Sequence, residues 1–438
     1  MKKSRFTYLL FEREQGISLG IYRITFGLMM CFSLCRFMYN SWIEACYIEP
    51  DFHFTYQYFH WIQPFDNEII MYLLYLIAIV CTLLITIGMY FRIGIVLFFL
   101  LFTYFELIEK AWYLNHYYFV SLIAFLLIFI PADSRFSFQK NKPLTIPKIY
   151  STILKFQISC VYFFAGIAKL NSDWLVDALP LKIWLKAKGD LPIIGDLLIQ
   201  DWVAYAFSYS GMLYDVFIPF LLWNKRTRPL ALVAVVVFHT MTGILFPIGL
   251  FPLIMIVGSL IFITDEEWKS IFKWFSIDFK PIFSSRNKPK IPKWLLVLFS
   301  FYFLIQIILP LRHHFYNENF LWTERHYRFG WNVMLAEKGG SAIFKVKDNN
   351  SDKIWTIYPS EYLTQIQEKQ MSYQADMIWL FAQYLEAKFQ QKGYEYISIF
   401  VENKVTFNGR SSQTYLPNNL DLLTISEDNI YDFVVELE

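Results

Sequence analysis

The sequence predicts an α-helical, multi-pass membrane protein of about nine transmembrane helices, with a C-terminal mixed α/β domain outside the cytoplasm. Hydrophobic residues make up 56% of the 438 positions, more than a soluble protein of ordinary composition contains. Long apolar segments recur up to residue 311, whereas the residues from 313 onward are polar or alternate between apolar and polar. We therefore predict a transmembrane domain at 1–312 and an extracytoplasmic domain at 313–438.

Nine apolar segments are long enough, or nearly so, to cross a bilayer as helices. The third, fourth and eighth are short and are convincing only as parts of a bundle, so eight spans is the alternative. The segment at 171–202 is interrupted by Asp, Pro and Gly, and we expect it to lie on the outer face as an amphipathic or re-entrant piece. The nine segments cover residues 17–38, 69–89, 93–108, 116–131, 150–170, 203–223, 229–246, 249–264 and 294–311.

The distribution of positive charge favours the odd number of spans. Cytoplasmic segments of membrane proteins carry an excess of Lys and Arg. With a cytoplasmic N-terminus, residues 40–68 lie outside and contain no Lys or Arg, and the C-terminal domain is periplasmic or luminal. Lys169 and His116 then lie at outer helix ends. The inside segments carry Lys2, Lys3, Arg5, Arg13, Arg92, Arg135, Lys140, Lys142, Lys148, Lys225, Arg226, Arg228, Lys269, Lys273, Lys280, Arg286, Lys288, Lys290 and Lys293.

The residues after 313 predict a small mixed α/β domain. Residues 341–348 and 353–360 alternate apolar and polar side chains, which is typical of strands, and the turn-forming sequence DNNSD separates them. Residues 372–392 have helical periodicity. Residues 396–409 alternate again and end in Asn-Gly, a sequence that favours a hairpin turn.

Lys169 lies at the end of an apolar helix, next to polar, turn-forming residues. An ammonium at the edge of a bilayer is costly and is rarely kept there without a use. Desolvation lowers the pKa of a lysine side chain, and a neutral amine can act as a base. We therefore predict that Lys169 is catalytic, the alternative being a lysine that reaches towards water and marks the end of a span. Asp173 is expected to tune this lysine or to cap the next turn.

Several other polar and aromatic residues are candidates for binding a ligand. His116 opens the fourth apolar segment beside Asn115, which is a possible helix cap. His239 lies inside an apolar segment, where a histidine is either functional or satisfied by a backbone carbonyl. Tyr117 and Tyr162 offer aromatic surface that suits a planar ring, or an interfacial aromatic belt. The two histidines are also possible haem ligands.

Other classes of function have no motif in this sequence. There is no GxSxG, no phosphate-binding glycine loop, no HExxH and no EF-hand loop. The five cysteines have no spacing typical of zinc, so no metal is expected. The net charge of +2 gives no reason to expect a nucleic-acid partner. The first residues, MKKSRFTYLLFEREQG, do not resemble a cleavable signal peptide.

Separated segments of this chain resemble the vitamin K-dependent γ-glutamyl carboxylases, in a short, bacterial-type form. FAGIAKLNSDWL is similar to the lysine motif of that family, and EKAWYLNHYYFVSLIAFLLIFIPAD to its histidine-bearing segment. FHTMTGILFPIGLFPLIMI resembles a later membrane span. NFLWTERHYRFGWNVML and YISIFVENKVTFNGR resemble parts of the outer domain. The resemblance covers nearly the whole chain, with its motifs in the same order.

The resemblance implies a lyase that couples epoxidation of vitamin K to carboxylation of glutamate. Lys169 corresponds to the base that deprotonates vitamin K hydroquinone, here phylloquinol or menaquinol, and His116 to a hydrogen-bond donor for the oxygenated cofactor. Reaction with O2 gives a strongly basic alkoxide that removes the γ-proton of a peptide glutamate, and CO2 then adds. The expected partners are a glutamate-containing peptide or protein, the quinone and the lipid bilayer. The cofactor-binding residues are expected to be Asn115, Tyr117, Tyr162 and His239.

Two departures and two alternatives accompany this resemblance. Ala168 stands where animal carboxylases carry a second lysine, and the cysteines do not suggest the disulfide that links membrane and luminal parts in those enzymes.

The alternatives are a hydroquinone epoxidase without carboxylation and a non-enzymatic immunity or signalling protein with the same transmembrane unit. Proteins of the second kind are expected to lack both the lysine and the outer domain. The presence of both favours an enzyme.

Overall fold

All nine apolar segments form helices in the computed structural model, which describes residues 12–139, 142–143, 145–277, 291–316 and 318–438. In chain order the helices are α1 (Ile17–Tyr39), α2 (Glu68–Ile87), α3 (Phe91–Ile108), α4 (Asn115–Phe129), α5 (Ile149–Ala168), α6 (Ser172–Leu175), α7 (Leu181–Lys186), α8 (Gly195–Leu198), α9 (Asp201–Trp223), α10 (Arg228–Leu245), α11 (Phe251–Ser259), α12 (Asp265–Trp274), α13 (Lys293–Leu311), α14 (Phe320–Thr323), α15 (Gln365–Met371) and α16 (Ala375–Gln391).

Seven of the described helices are long and apolar enough to cross a membrane, namely α1, α2, α3, α5, α9, α10 and α13. Helix α4 and helix α11, with its extension to Phe262, are shorter apolar helices. The predicted class of a multi-pass helical membrane protein is therefore confirmed, and the fourth and eighth segments are the short ones, as expected. The predicted third span is full length. Of the positive charges used above, Lys2, Lys3, Arg5, Lys140, Lys280, Arg286, Lys288 and Lys290 lie outside the described residues.

Local sequence signals explain where α2 begins and ends. The Asn67 side chain accepts a hydrogen bond from the backbone N–H of Ile69 and caps its N-terminus. Gly88, with a φ of 71°, ends it in the left-handed conformation that glycine adopts without strain. The guanidinium of the fully buried Arg23 lies nearby and donates to the carbonyls of Thr86 and Ala132. It thereby joins the end of α2 to the segment after α4.

The C-terminal domain contains a four-stranded antiparallel sheet. Its strands are β3 (Lys338–Asp348), β4 (Ile354–Ile357), β5 (Ile397–Phe407) and β6 (Gln413–Thr414), in the spatial order β4-β3-β5-β6. A separate two-stranded sheet pairs β1 (Arg13–Glu14) with β2 (Ile146–Pro147). Helix α16 packs on the four-stranded sheet, with the rings of Phe344 and Phe381 5.0 Å apart. The predicted mixed α/β character of this part of the chain is confirmed.

The C-terminal domain shares a hydrophobic core with loops of the helical part. This core includes Phe54, Trp174, Leu181 and Leu245 beside the buried faces of the sheet and of α16. The domain therefore rests on the end of the bundle where α3 and α5 end and where α4 begins. The boundary between residues 312 and 313 follows α13 directly and stays a prediction.

Candidate functional site

Lys169 lies where α5 ends, and its amine turns back along the helix. Its Nζ donates to the carbonyl of Ala165, 3.1 Å away. The chain then starts a new short helix because the Asn171 side chain accepts a hydrogen bond from the backbone N–H of Trp174. The ring of Trp174 covers the amine, with Nζ 5.4 Å from the ring centroid, a cation–π distance.

A close approach of two helices gives Lys169 its partner. A Cβ added to Gly166 of α5 would lie 2.7 Å from the backbone N of Val216 in α9, so only glycine permits this contact. The preceding residue, Asp215, accepts a hydrogen bond from Lys169 Nζ at 2.8 Å. Both side chains are buried, with 8% of Lys169 and 10% of Asp215 exposed. The lysine and the carboxylate therefore form one ion-paired unit.

This ion pair lines a largely apolar cavity of about 780 Å³. We call it the lysine cavity. Leu181 of the 171–202 segment also lines it, so that segment covers the region beside Lys169. Its apolar walls include Val161, Trp174, Phe238, Met241, Phe246 and Met255.

A second polar pair faces the lysine cavity, formed by His239 and Tyr162. The Tyr162 hydroxyl lies 2.8 Å from His239 Nε2. Nδ1 of His239 is buried and has no hydrogen-bond partner among the described residues. The interpretation that a backbone carbonyl satisfies His239 is therefore wrong, because its partner is a side chain.

His116, Asn115 and Tyr117 line a different cavity, of about 1280 Å³, which we call the histidine cavity. His116 is 6% exposed, and its Nε2 has no hydrogen-bond partner within the described parts of the chain. The Asn115 side chain donates to the carbonyl of Asn332, 2.9 Å away, and accepts from the Tyr113 hydroxyl. It links the start of α4 to the C-terminal domain. The prediction that Asn115 caps α4 is wrong, since Leu114 is the cap residue and makes no side-chain bond.

The two cavities are neighbours that share one wall, formed by Ile248, Phe251, Val333 and Met334. The ring of Phe251 lies 5.9 Å from that of His116 and 5.7 Å from that of His239, measured between centroids. Phe251 thus stands between the two histidines, one in each cavity. The Phe251 ring packs against both imidazoles, so this arrangement does not hold them on opposite sides of one haem iron.

Comparisons with known protein families agree with this architecture. A family model described as the HTTM domain matches residues 11–268, more than half of the chain. A model described as the vitamin K-dependent gamma-carboxylase lumenal domain matches residues 291–435. The chain belongs to the vitamin K-dependent gamma-carboxylase family. No solved structure matches it.

The membership in the gamma-carboxylase family confirms the resemblance of the sequence motifs. The lumenal-domain match contains the whole four-stranded sheet, and the HTTM match contains both Lys169 and His116. The protein is therefore a gamma-carboxylase-type membrane protein with several apolar helices.

Asp173 has neither of the predicted roles. Its carboxylate makes two hydrogen bonds of 2.8 Å with the guanidinium of Arg410 and accepts a third from Asn408. Burial raises the pKa of Asp173, but the bonds from Arg410 and Asn408 outweigh it and hold that pKa below its ordinary value. Asp173 therefore ties the segment after Lys169 to the C-terminal domain, and Asn171 is the cap.

Asp215 is the residue of the site that sequence reasoning missed. A signal for it was present, because a carboxylate near the middle of an apolar span is a candidate functional residue by default. Its pairing with Lys169 needed the close approach of α5 and α9. Nothing local in the sequence reveals that contact.

Proposed function

We propose that this protein is an integral-membrane vitamin K-dependent γ-glutamyl carboxylase. In the proposed reaction, oxygenation of vitamin K hydroquinone to the 2,3-epoxide is coupled to removal of a glutamate γ-proton and addition of CO2. The observation that carries the proposal is the buried Lys169–Asp215 pair on the wall of an apolar cavity, in a chain that belongs to the gamma-carboxylase family.

The lysine cavity suits the chemistry of reduced vitamin K. Its apolar and aromatic walls match a naphthoquinol ring, while Lys169, Tyr162 and His239 supply polar groups for the ring hydroxyls. Once bound and oxygenated, reduced vitamin K supplies a base strong enough for the γ-proton, which no side chain provides.

Lys169 is proposed to take the proton of a quinol hydroxyl while it passes one of its own ammonium protons to the carboxylate of Asp215. Its amine faces the cavity from a helix end, and the same amine is bonded to Asp215. The proton taken from the quinol therefore enters a unit of two groups, amine and carboxylate, that lies away from bulk water. Tyr162 and His239 are proposed to orient the ring from the other side of the cavity.

His116 is proposed to donate a hydrogen bond to the oxygenated cofactor from its free Nε2. Because His116 lies across the shared wall from Lys169, this role needs the reacting part of the cofactor to reach Phe251. Asn115 and Tyr117 are proposed to support the same side. Under this assignment, oxygenation of the cofactor occurs at the wall that the two cavities share.

The proposed topology has a cytoplasmic N-terminus and the C-terminal domain outside. The Lys and Arg distribution supports it, and counts of seven or nine spans both place the two termini on opposite sides. A C-terminal alkaline phosphatase fusion is expected to be active. An inactive fusion together with an active cytoplasmic reporter at the same point would contradict this topology.

The function is tested with purified protein, vitamin K hydroquinone, labelled bicarbonate and a short glutamate-containing peptide. We expect label in the peptide and vitamin K epoxide to form together, and neither to form with folded Lys169→Ala protein. Epoxide without label would support the epoxidase alternative. A folded wild-type protein that yields neither product would overturn the proposal.

A further inference from the structure

The histidine cavity has a position suited to a second substrate. Its lining comes from the C-terminal end of α1, the C-terminal end of α3 and the turn that follows it. The N-terminal ends of α4 and α11 and residues between 327 and 334 complete it. It therefore lies at the junction of the bundle and the C-terminal domain, on the far side of Phe251 from Lys169. Tyr327 and Asn332 of the C-terminal domain line this cavity and not the lysine cavity.

One cation in the histidine cavity has no ionic partner in the part of the chain that the structure describes. Arg36, in the last turn of α1, lines the cavity and forms no ion pair with any described residue. Its guanidinium lies 4.6 Å from the ring centroid of Trp42, which holds it by a cation–π contact and leaves its N–H donors available. A guanidinium is suited to binding a carboxylate with two hydrogen bonds.

A second polar group in the same cavity is also unpartnered. His116 Nε2 is buried without a hydrogen-bond partner among the described residues, at the shared wall with Phe251. Buried polar atoms are nearly always bonded, so an orphan atom on a cavity wall indicates a ligand. Among the described residues, the cavity thus combines a cation without an ion pair and the imidazole nitrogen proposed to bind the oxygenated cofactor.

Two carboxylates line the cavity as well, and they differ in their surroundings. Both carboxylate oxygens of Glu109 already accept hydrogen bonds, which come from the backbone N–H groups of Phe54 and Ala111 and from the side chain of Gln367. Glu106 makes no ion pair within the described part of the chain. Neither of these two carboxylates is paired with Arg36 in the described part of the chain.

We propose that the histidine cavity receives the side chain of the substrate glutamate, with Arg36 binding its γ-carboxylate. This inference rests on the proposed function. The γ-carbon then lies beside Phe251, where the proposed function places the oxygenated part of the cofactor, and the γ-proton passes to it there. The carboxylate bound to Arg36 keeps the reacting carbon beside Phe251 while CO2 adds.

The test compares the KM for the glutamate peptide with the KM for vitamin K hydroquinone. Arg36→Gln is expected to raise the peptide KM about 10- to 100-fold, the loss expected for hydrogen bonds to a charged group, and to leave the hydroquinone KM unchanged. Arg36→Lys is expected to retain part of the affinity, since it keeps the charge. Arg92→Gln, an exposed arginine outside both cavities, is the matched control and should match wild type.

Direct binding separates this inference from the proposed function. A fluorescently labelled glutamate peptide is titrated with wild-type and Arg36→Gln protein, both checked for folding by thermal unfolding in detergent. Weaker binding by Arg36→Gln supports the inference even when the wild type forms no product, which would contradict only the proposed function. Equal binding by the two proteins, or an equal rise in both KM values, would overturn the inference.

Discussion

Two buried Lys–Asp pairs in this protein have nearly the same geometry but different surroundings. Lys169 and Asp215 lie 2.8 Å apart between α5 and α9, and Lys110 and Asp376 lie 2.7 Å apart between the bundle and the C-terminal domain. All four side chains are at most 10% exposed. Distance and burial alone therefore do not distinguish a catalytic pair from a structural one.

The difference lies in what else each pair touches. Asp376 also binds Arg328 at 2.8 Å, so one carboxylate joins two cations from different segments. Burial lowers the pKa of Lys110, and although burial raises that of Asp376, Arg328 and Lys110 hold it below its ordinary value. Within the described part of the chain, Lys169 pairs with one carboxylate, that of Asp215, and lies beside an apolar cavity. The first arrangement fixes a domain interface, whereas the second can exchange a proton with a ligand.

The largest expected difference between the pairs is their response to Lys→Arg. Lys169→Arg is expected to lower epoxide formation about 10³-fold or more, because a guanidinium stays protonated and cannot act as a base. Lys110→Arg keeps the charge facing Asp376, beside a polar cavity of about 740 Å³, and is expected to remain active. Parallel assays of the two folded variants decide this. Equal activity of the two variants would contradict the distinction between a catalytic and a structural Lys–Asp pair.

Asp376→Asn is expected to lower the free energy of unfolding by about 3–5 kcal/mol, because it leaves two buried cations without their carboxylate. Thermal unfolding of the detergent-solubilised protein measures this. Asp352→Asn, at an 83% exposed aspartate paired with Lys347, is the control and should change little. If Asp376→Asn unfolded like wild type, the interface role of the Lys110 pair would be wrong.

His116→Ala is expected to lower epoxidation and carboxylation together by about 10²-fold, the loss typical of one well-placed donor to developing charge. The rates at saturating substrates measure it. His60→Ala is the control, since His60 is about half exposed, pairs with Glu427 and lines neither cavity. Unchanged rates would reduce His116 to a residue that merely begins α4.

The smallest expected effect comes from the Asp173–Arg410 bridge. The pKa of Asp173 lies below its ordinary value of about 3.9, so its contribution to stability is complete above that pH and is lost as pH falls through the lower, folded-state value. Because Arg410 is 35% exposed, we expect about 1 kcal/mol or less. Asp173→Asn should therefore unfold more easily than wild type at pH 7 and equally at strongly acidic pH. A difference that persists in acid would exclude the charge as its cause.

Periodicity and turn residues predicted most of the fold. The first apolar segment was placed at 17–38 and forms Ile17–Tyr39, and the Asn-Gly after β5 forms a turn with positive φ at both residues. These features depend on neighbours in sequence. The role of Lys169 as a candidate also followed from its local context.

The arrangement of the site could not be predicted in the same way. Asp215 is 46 positions from Lys169, and their contact depends on Gly166 allowing α9 to approach. The ring of Phe251 contacts both of the histidines that the sequence alone offers as ligands of one haem. Arg36 becomes a candidate only because the fold places it in the histidine cavity without an ion pair among the described residues. Such relations arise from the packing of distant helices.

The central claim, that Lys169 is the base for the quinol, is tested most directly by amine rescue of Lys169→Ala. Epoxide formation is measured with added primary amines of graded pKa, using folded protein and saturating hydroquinone. The account predicts that the variant alone is inactive, that small amines restore part of the activity, and that the basic limb of the pH profile follows the pKa of the amine. Near-normal activity of Lys169→Ala without amine, or no rescue by any amine together with full activity of Lys169→Arg, would contradict it.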